Sequence, residues 1–229
     1  MIFLYLQAPF GVFRTFTSGS FRPTAGFITP SAAYGLLLNI AGIEMRHDDG
    51  ASVMTVIAKS LPYLKLSLAT LDSLWPARHS LFQQLHNYPV GTIGKDHAPN
   101  TKGSKYNIVP VRREFLSGIR AYIGVDGNPN LEARILEGLL GKQPRTYGLP
   151  FLGDNNFLID RLEPVEAPQP VHWLEKVPEG EERIGENVMR LTISIDRADL
   201  SQTRSALFAP CRDKLASPPT DSWVEVKYS

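Results

Sequence analysis

Two segments of the chain combine cationic and aromatic side chains in a way that suits a single-stranded nucleic acid. The first 43 residues contain no Asp or Glu, and a loop within them presents Phe13 and Arg14, with Arg22 following. The second segment, residues 95–113, has a net charge of +4. Its cations are Lys95, Lys102, Lys105, Arg112 and Arg113, opposed by Asp96 alone and interleaved with Tyr106. Because cations neutralise phosphates and aromatic rings stack on unpaired bases, this pattern favours nucleic-acid binding.

A third candidate is the loop of residues 145–153, which is bracketed by glycines and prolines and carries Arg145 and Tyr147. Glycines let a backbone approach a ligand closely, and their amides can bind phosphate. A tight turn explains the same residues equally well. The two basic segments also have ordinary alternatives, namely a buried strand followed by a solvated turn, and a solvated surface hairpin.

The elements that would position these residues follow the order strand, helix, strand, strand, helix, strand. Apolar residues on both faces of Ile2–Gln7 indicate a central strand, and Thr29 before Pro30 is typical of a helix start. Alternation predicts further strands, and Asn128 before Pro129 predicts a second helix that ends at Gly141. The predicted later strands lie at residues 53–58, 64–68, 119–125 and 157–159. This order predicts an α+β, ferredoxin-like fold.

The domain prediction places this ferredoxin-like unit at residues 1–165. An inserted β-hairpin, or thumb, is expected at about residues 80–115, where turn-forming residues interrupt the pattern. Residues 166–229 are predicted to form a small β-rich annex, with strands at 191–195 and 224–228.

Composition excludes several classes of protein. The chain has 229 residues, of which 43% are hydrophobic and 21% charged, and its net charge is only +1. Ten acids oppose five basic residues between positions 160 and 199, so the basic surplus lies earlier in the chain. A lone cysteine, Cys211, excludes a disulfide framework, and the five histidines show no metal-site spacing. We expect no cofactor, no metal and no catalytic residue, and a cytoplasmic location without signal peptide or membrane contact.

Four stretches resemble the fifth CRISPR-associated (Cas) family. The family's beginning is similar to Leu4–Phe10 continuing to Phe13 and Arg14, and to Thr29–Ser31 followed by Gly35–Leu37. Two later stretches, Lys105–Glu114 and Tyr147–Gly153, are also similar. Together they extend over about the first 160 residues, on the strand order given above.

The resemblance implies an RNA-binding subunit of the type I Cascade complex, which serves antiviral defence or RNA-guided DNA targeting. Such a subunit would grip the 5′ handle of the CRISPR RNA. It would also cap the filament of seventh-family backbone subunits, beside the large subunit, and meet target DNA only through the complex. Arg14 and Arg22 would hold handle phosphates, and Phe13 would line one side of a base. The cations of residues 95–113 would be thumb or thumb-base contacts. The 147–153 loop would border the handle pocket.

Two alternatives stay open at the level of the sequence. One subtype of the same family cleaves precursor CRISPR RNA without metal, using Tyr, Lys and His together, which makes a metal-independent endoribonuclease the second interpretation. No such trio can be matched here position by position. The third interpretation is a protein-interaction module without an RNA role, whose basic segment binds an acidic partner.

Overall fold

The fold is built from short and long antiparallel strands around two α-helices. The computed structural model describes residues 1–15, 20–47, 56–71, 75–86, 108–145, 148–181, 183, 187–196 and 199–228. Its strands are β1 Ile2–Gly11, β2 Phe21–Arg22, β3 Arg46–His47, β4 Val56–Ile57, β5 Leu64–Thr70, β6 Ala77–His86, β7 Ile108–Asp126, β8 Arg161–Val165, β9 His172–Lys176, β10 Met189–Ser194, β11 Arg204–Pro210 and β12 Val224–Val226. Its helices are α1 Pro30–Ile40 and α2 Pro129–Leu139.

The central sheet has the strand order β8, β1, β7, β5, with every neighbouring pair antiparallel. Helix α1 connects β1 to β5, and α2 connects β7 to β8. Each half is therefore a split βαβ unit, and the ferredoxin-like α+β prediction is confirmed. Leu4 and Leu6 of β1 are fully buried between the sheet and the helices, as expected of a central strand.

Both helices begin with the N-capping residue that the sequence predicts. Thr29 Oγ1 accepts a hydrogen bond from the Ala32 N–H at 3.2 Å, and Asn128 Oδ1 accepts one from the Leu131 N–H at 2.8 Å. Each cap satisfies a backbone donor that the first helical turn leaves without a partner.

A long hairpin extends from the central sheet. Strand β6 pairs with the first half of β7 from Ala77–Ser117 to His86–Ile108, which confirms the inserted hairpin. On the other side of β7, β2 adds a parallel pairing of Phe21 with Arg112 and of Arg22 with Arg113. The predicted contacts Lys95, Lys102, Lys105 and Tyr106 lie outside the described residues.

The C-terminal strands continue the same sheet. Strand β9 pairs with β5 at Ala69 and Thr70, β12 pairs with β5 at Leu64–Leu66, and β11 and β10 follow beyond β9. Helix α1 packs against both β5 and β10, which explains why it is apolar nearly all round. The division of the chain at residue 165 stays a prediction.

Two strand predictions need correction. Residues 157–159 form no strand: Leu158 makes one isolated bridge with Phe151, and β8 begins at Arg161. Of the predicted strand 53–58, the structure shows Val56–Ile57, while 53–55 lie outside the described residues.

Neither α-helix, in the part of the chain that the structure describes, is long and apolar enough to cross a membrane.

Candidate nucleic-acid interface

Parts of three of the stretches that resemble the fifth Cas family meet at one place, which we call the hairpin base. It comprises residues 10–14, 20–25, 77–83, 111–117 and 151–158. The Val12 N–H donates a hydrogen bond to the Leu152 carbonyl at 3.0 Å, so the first loop contacts the third. The Arg112 N–H donates to the Ser20 carbonyl at 2.7 Å, so the first loop also contacts the hairpin. Residues that lie far apart in the sequence thus form one surface.

Arg112 is an exposed cation of the hairpin base. Its guanidinium carbon lies 5.5 Å from the centre of the Phe21 ring, within the range of a cation–π interaction. Its side chain also donates to Ser80 Oγ at 3.3 Å. Because neither partner is anionic, the positive charge stays available to an anion in solution.

Arg113, the next residue, has a different environment. Its guanidinium contacts the Asp154 carboxylate at 2.5 Å, and the two side chains are only 11% and 10% exposed. It also donates to Gln83 Oε1 at 3.4 Å. This arginine joins the hairpin to the loop of residues 151–158, and its charge is largely compensated within the protein.

The acidic groups of the hairpin base are both paired with arginines. Burial acts to raise the pKa of Asp154, but hydrogen bonds from the Asn156 N–H and from Arg113, with the Arg113 charge, hold the pKa below its usual value. Glu114 contacts Arg78 at 3.3 Å and accepts a hydrogen bond from the Thr24 N–H at 3.2 Å. Neither carboxylate therefore leaves an unpaired negative charge at this surface.

Phe13 lies in the hydrophobic core, with 3% of its surface exposed. Its N–H donates to Thr24 Oγ1 at 2.8 Å, and its carbonyl accepts from the Ala25 N–H at 2.7 Å. This burial argues against the base contact expected for Phe13, because neither face of the ring is open to a ligand. The structure gives the residue a packing role.

The other predicted site residues divide into two groups. Arg14 is exposed in an isolated bridge with Thr24, and Arg22 is half-buried beside Arg113, so both belong to the hairpin base. Arg145 is exposed after α2, next to Pro144, which packs against Gly42 at the end of α1. Tyr147 lies outside the described residues.

Sequence reasoning missed two exposed rings, Phe21 and Phe82, whose exposed fractions are 43% and 83%. Phe21 lies in a two-residue strand, and Phe82 lies in a stretch without hydrophobic periodicity. A phenylalanine among polar residues beside a basic segment was the available signal.

A second aromatic cluster joins the end of β1, the hairpin and the 151–158 loop. Phe10, Phe115 and Phe157 contact one another with ring centres 5.7 to 6.0 Å apart. His79 stacks on Phe115 at 5.2 Å and lies 2.7 Å from Ser117 Oγ. Among the described residues, no three His, Cys, Asp or Glu side chains are grouped in a way that could hold a metal ion.

Solved structures of other proteins are similar to this chain. The chain is similar to a solved structure described as "CRISPR RNA-guided surveillance complex", with 16% identity, 96% of this chain and 95% of that chain covered, and a TM-score of 0.57. It is also similar to one described as "Crystal structure of Cas protein", with 18% identity, 94% of each chain covered and a TM-score of 0.40. No curated protein matches the sequence. At these identities the first likeness shows the fold alone.

A protein-family model shows which family the chain belongs to. The model described as "CRISPR-associated protein (Cas_Cas5)" matches residues 1–203, which is most of the chain. The chain therefore belongs to this family of CRISPR-associated proteins.

Proposed function

We propose that the protein is an RNA-binding structural subunit of a type I CRISPR surveillance complex, Cascade. In this proposal the hairpin base holds the 5′ handle of the CRISPR RNA. The subunit caps the filament of seventh-family backbone subunits, contacts the large subunit, and meets target DNA only through the complex. Family membership supports the CRISPR context, and the fold is shared with a chain of an RNA-guided surveillance complex.

The observation that carries the proposal is the exposed Arg112 guanidinium against the Phe21 ring. A cation and an aromatic ring together match the two parts of a nucleotide, the phosphate and the base. Arg14 and Arg22 lie on the same acid-free segment as Phe21 and also belong to the hairpin base. The carboxylates nearby, Glu114 and Asp154, are neutralised by arginines.

We propose a binding role rather than a cleaving one. RNA cleavage without metal needs a general base for the 2′-hydroxyl and a cation for the developing charge. The histidine of the hairpin base, His79, stacks on Phe115 and lies at hydrogen-bond distance from Ser117. These contacts favour packing as its role.

The test measures the affinity of the full chain for labelled handle RNA by fluorescence anisotropy. Arg112→Glu should weaken binding about tenfold or more, since a charge-assisted contact is replaced by repulsion. The slope of log affinity against log salt should also become shallower by about 0.7, the value for one phosphate on a single strand. Arg120→Glu is the matched control, because Arg120 is exposed on the same strand away from the hairpin base.

Other outcomes would favour the alternatives. Equal losses in both variants would contradict a site at the hairpin base. Binding without salt dependence, or no binding, would favour a protein-interaction module. A discrete cut in full-length repeat RNA incubated in EDTA, beside a cleaving positive control, would identify a metal-independent endoribonuclease.

A further inference from the structure

We infer that Phe82, Arg112 and Phe21 form one row that stacks on unpaired bases and so selects single-stranded over duplex RNA. This inference rests on the proposed function and names the feature of RNA that the hairpin base recognises. Phe82 lies within the predicted hairpin but is not among the site residues that the sequence singled out.

The strand register places the three residues side by side. Phe82 of β6 is paired directly with Arg112 of β7, and Arg112 is paired directly with Phe21 of β2. Directly paired residues on neighbouring strands point to the same face of a sheet. Since neighbouring strands lie about 4.8 Å apart, the two rings are carried on strands roughly 10 Å apart with the guanidinium between them.

The exposure of Phe82 is unusual for so large an apolar side chain. It is 83% exposed, the highest exposure among the large hydrophobic residues of the described chain. Burial of an aromatic ring is favourable, so a ring kept this open is available to contact a ligand or partner. Phe21 is the second partly open ring of the row, and 43% of its surface is exposed.

The charges along the row suit a nucleic acid better than an apolar protein segment. A guanidinium lies at its centre, and Ser80 is its hydrogen-bonding partner. The carboxylate two residues along β7, Glu114, is only 13% exposed and is paired with Arg78. An apolar segment would bury this cation without an anion to compensate it, whereas RNA supplies a phosphate.

Duplex RNA cannot use the two rings, because its bases are already stacked and paired within the helix. It can still use Arg112 through its phosphates. The two rings of the row are therefore expected to produce the preference for single strands, while Arg112 contributes to the binding of both forms.

The experiment compares handle RNA as a single strand and as a duplex with its complement, using the full chain. Phe82→Ala should weaken single-strand binding roughly 5- to 150-fold, equivalent to about 1–3 kcal/mol for one stacked base. Duplex binding and the salt slope should stay unchanged, since no phosphate contact is removed. Phe82→Tyr should restore single-strand affinity, and Phe82→Leu should not. Tyr63→Ala, at an exposed ring before β5, is the control and should behave as wild type.

Each result separates the inference from the proposed function. If Phe82→Ala binds the single strand with wild-type affinity, the inference that the row stacks on bases is contradicted, while handle binding at the hairpin base is not. Wild-type affinity of Phe82→Leu would show an apolar contact rather than stacking, and would overturn the row equally. If the wild-type protein does not bind RNA, both the inferred stacking by the row and the proposed function are contradicted. Since Phe82 is so exposed, circular dichroism should show unchanged folding in every variant.

Discussion

The two adjacent arginines of the hairpin lie in different environments. Arg112 faces solvent beside Phe21, whereas Arg113 is paired with Asp154 at 11% exposure. Successive side chains of a β-strand point to opposite faces, so one of two neighbouring residues can bind a ligand while the other packs inside. The sequence predicted both as RNA contacts because both belong to the basic segment of residues 95–113, in which charge alone does not distinguish the two faces of a strand.

The pairing of Asp154 with Arg113 predicts a dependence of stability on pH. Because the pKa of Asp154 is lowered in the folded state, the carboxylate stabilises the fold above its unfolded pKa of about 3.9, and this contribution is lost as pH falls through the folded pKa. The wild type should therefore be more stable than Asp154→Asn at pH 7, and the difference should shrink below about pH 4. Urea unfolding between pH 3 and 7 measures it.

The control for this prediction removes the partner. In an Arg113→Met background, Asp154→Asn should change stability less with pH, since the Arg113 hydrogen bond and charge are gone and the Asn156 hydrogen bonds alone still lower the pKa of Asp154. A difference between wild type and Asp154→Asn that stays constant from pH 7 to 3 would show that the pair does not perturb the carboxylate.

The buried position of Phe13 predicts a loss of stability rather than of RNA affinity. Phe13→Ala removes a core ring and should lower the free energy of unfolding by about 3–5 kcal/mol. The folded fraction should bind handle RNA with wild-type affinity. Unfolding by urea and anisotropy at low temperature test the two statements separately, and a loss of affinity at unchanged stability would restore the base contact that the sequence predicts.

At the level of elements, the 151–158 loop is held by a close backbone approach. Gly153 has a φ of 75°, and a Cβ atom there would lie 1.6 Å from the Val12 carbonyl oxygen. Only glycine allows both the conformation and the contact, which joins the loop to the end of β1. The glycine-rich loop was correctly singled out in the sequence, but its partner strand could not be identified there.

We predict that Gly153→Ala destabilises the protein by well over 1 kcal/mol, because the methyl group forces the loop away from Val12. Gly180→Ala is the matched control: its φ is 83°, but no atom lies within 4 Å of the added carbon. The melting temperatures of the two variants measure the difference. Equal losses would mean that left-handed backbone alone, and not the close approach, requires glycine at position 153.

The success of the sequence predictions followed the strength of local signals. Both helices begin with a capping residue and a proline, and both were placed correctly. Strand β6 was predicted only as part of an inserted hairpin and without bounds of its own, because residues 77–82 are exposed on both faces and no hydrophobic alternation marks them. Strand β8 was misplaced because Phe157 and Leu158 are apolar, yet they pack as a turn beside Phe10 and Phe151. Only tertiary contacts decide such cases.

At the level of the whole molecule, the C-terminal strands complete the core of the N-terminal unit. Phe208 and Val226 belong to the same buried cluster as Leu4 and Leu37. The Ser67 hydroxyl donates to Ser222 Oγ at 2.8 Å, and the rings of Tyr34 and Tyr228 lie 5.3 Å apart. Alternation predicted two of these strands, but their pairing with β5 and their packing on α1 depend on long-range contacts.

These contacts predict that residues 1–165 do not fold without the rest of the chain. Removing residues 166–229 would expose the side of α1 that packs on β10 and would leave β5 unpaired along one edge. An apolar helix face and an open strand edge both favour aggregation. We therefore expect the full chain to unfold in one cooperative calorimetric transition, and the 1–165 fragment to be aggregated or to lack a transition. Two transitions, or a monomeric fragment that unfolds cooperatively, would instead support the domain boundary predicted at residue 165.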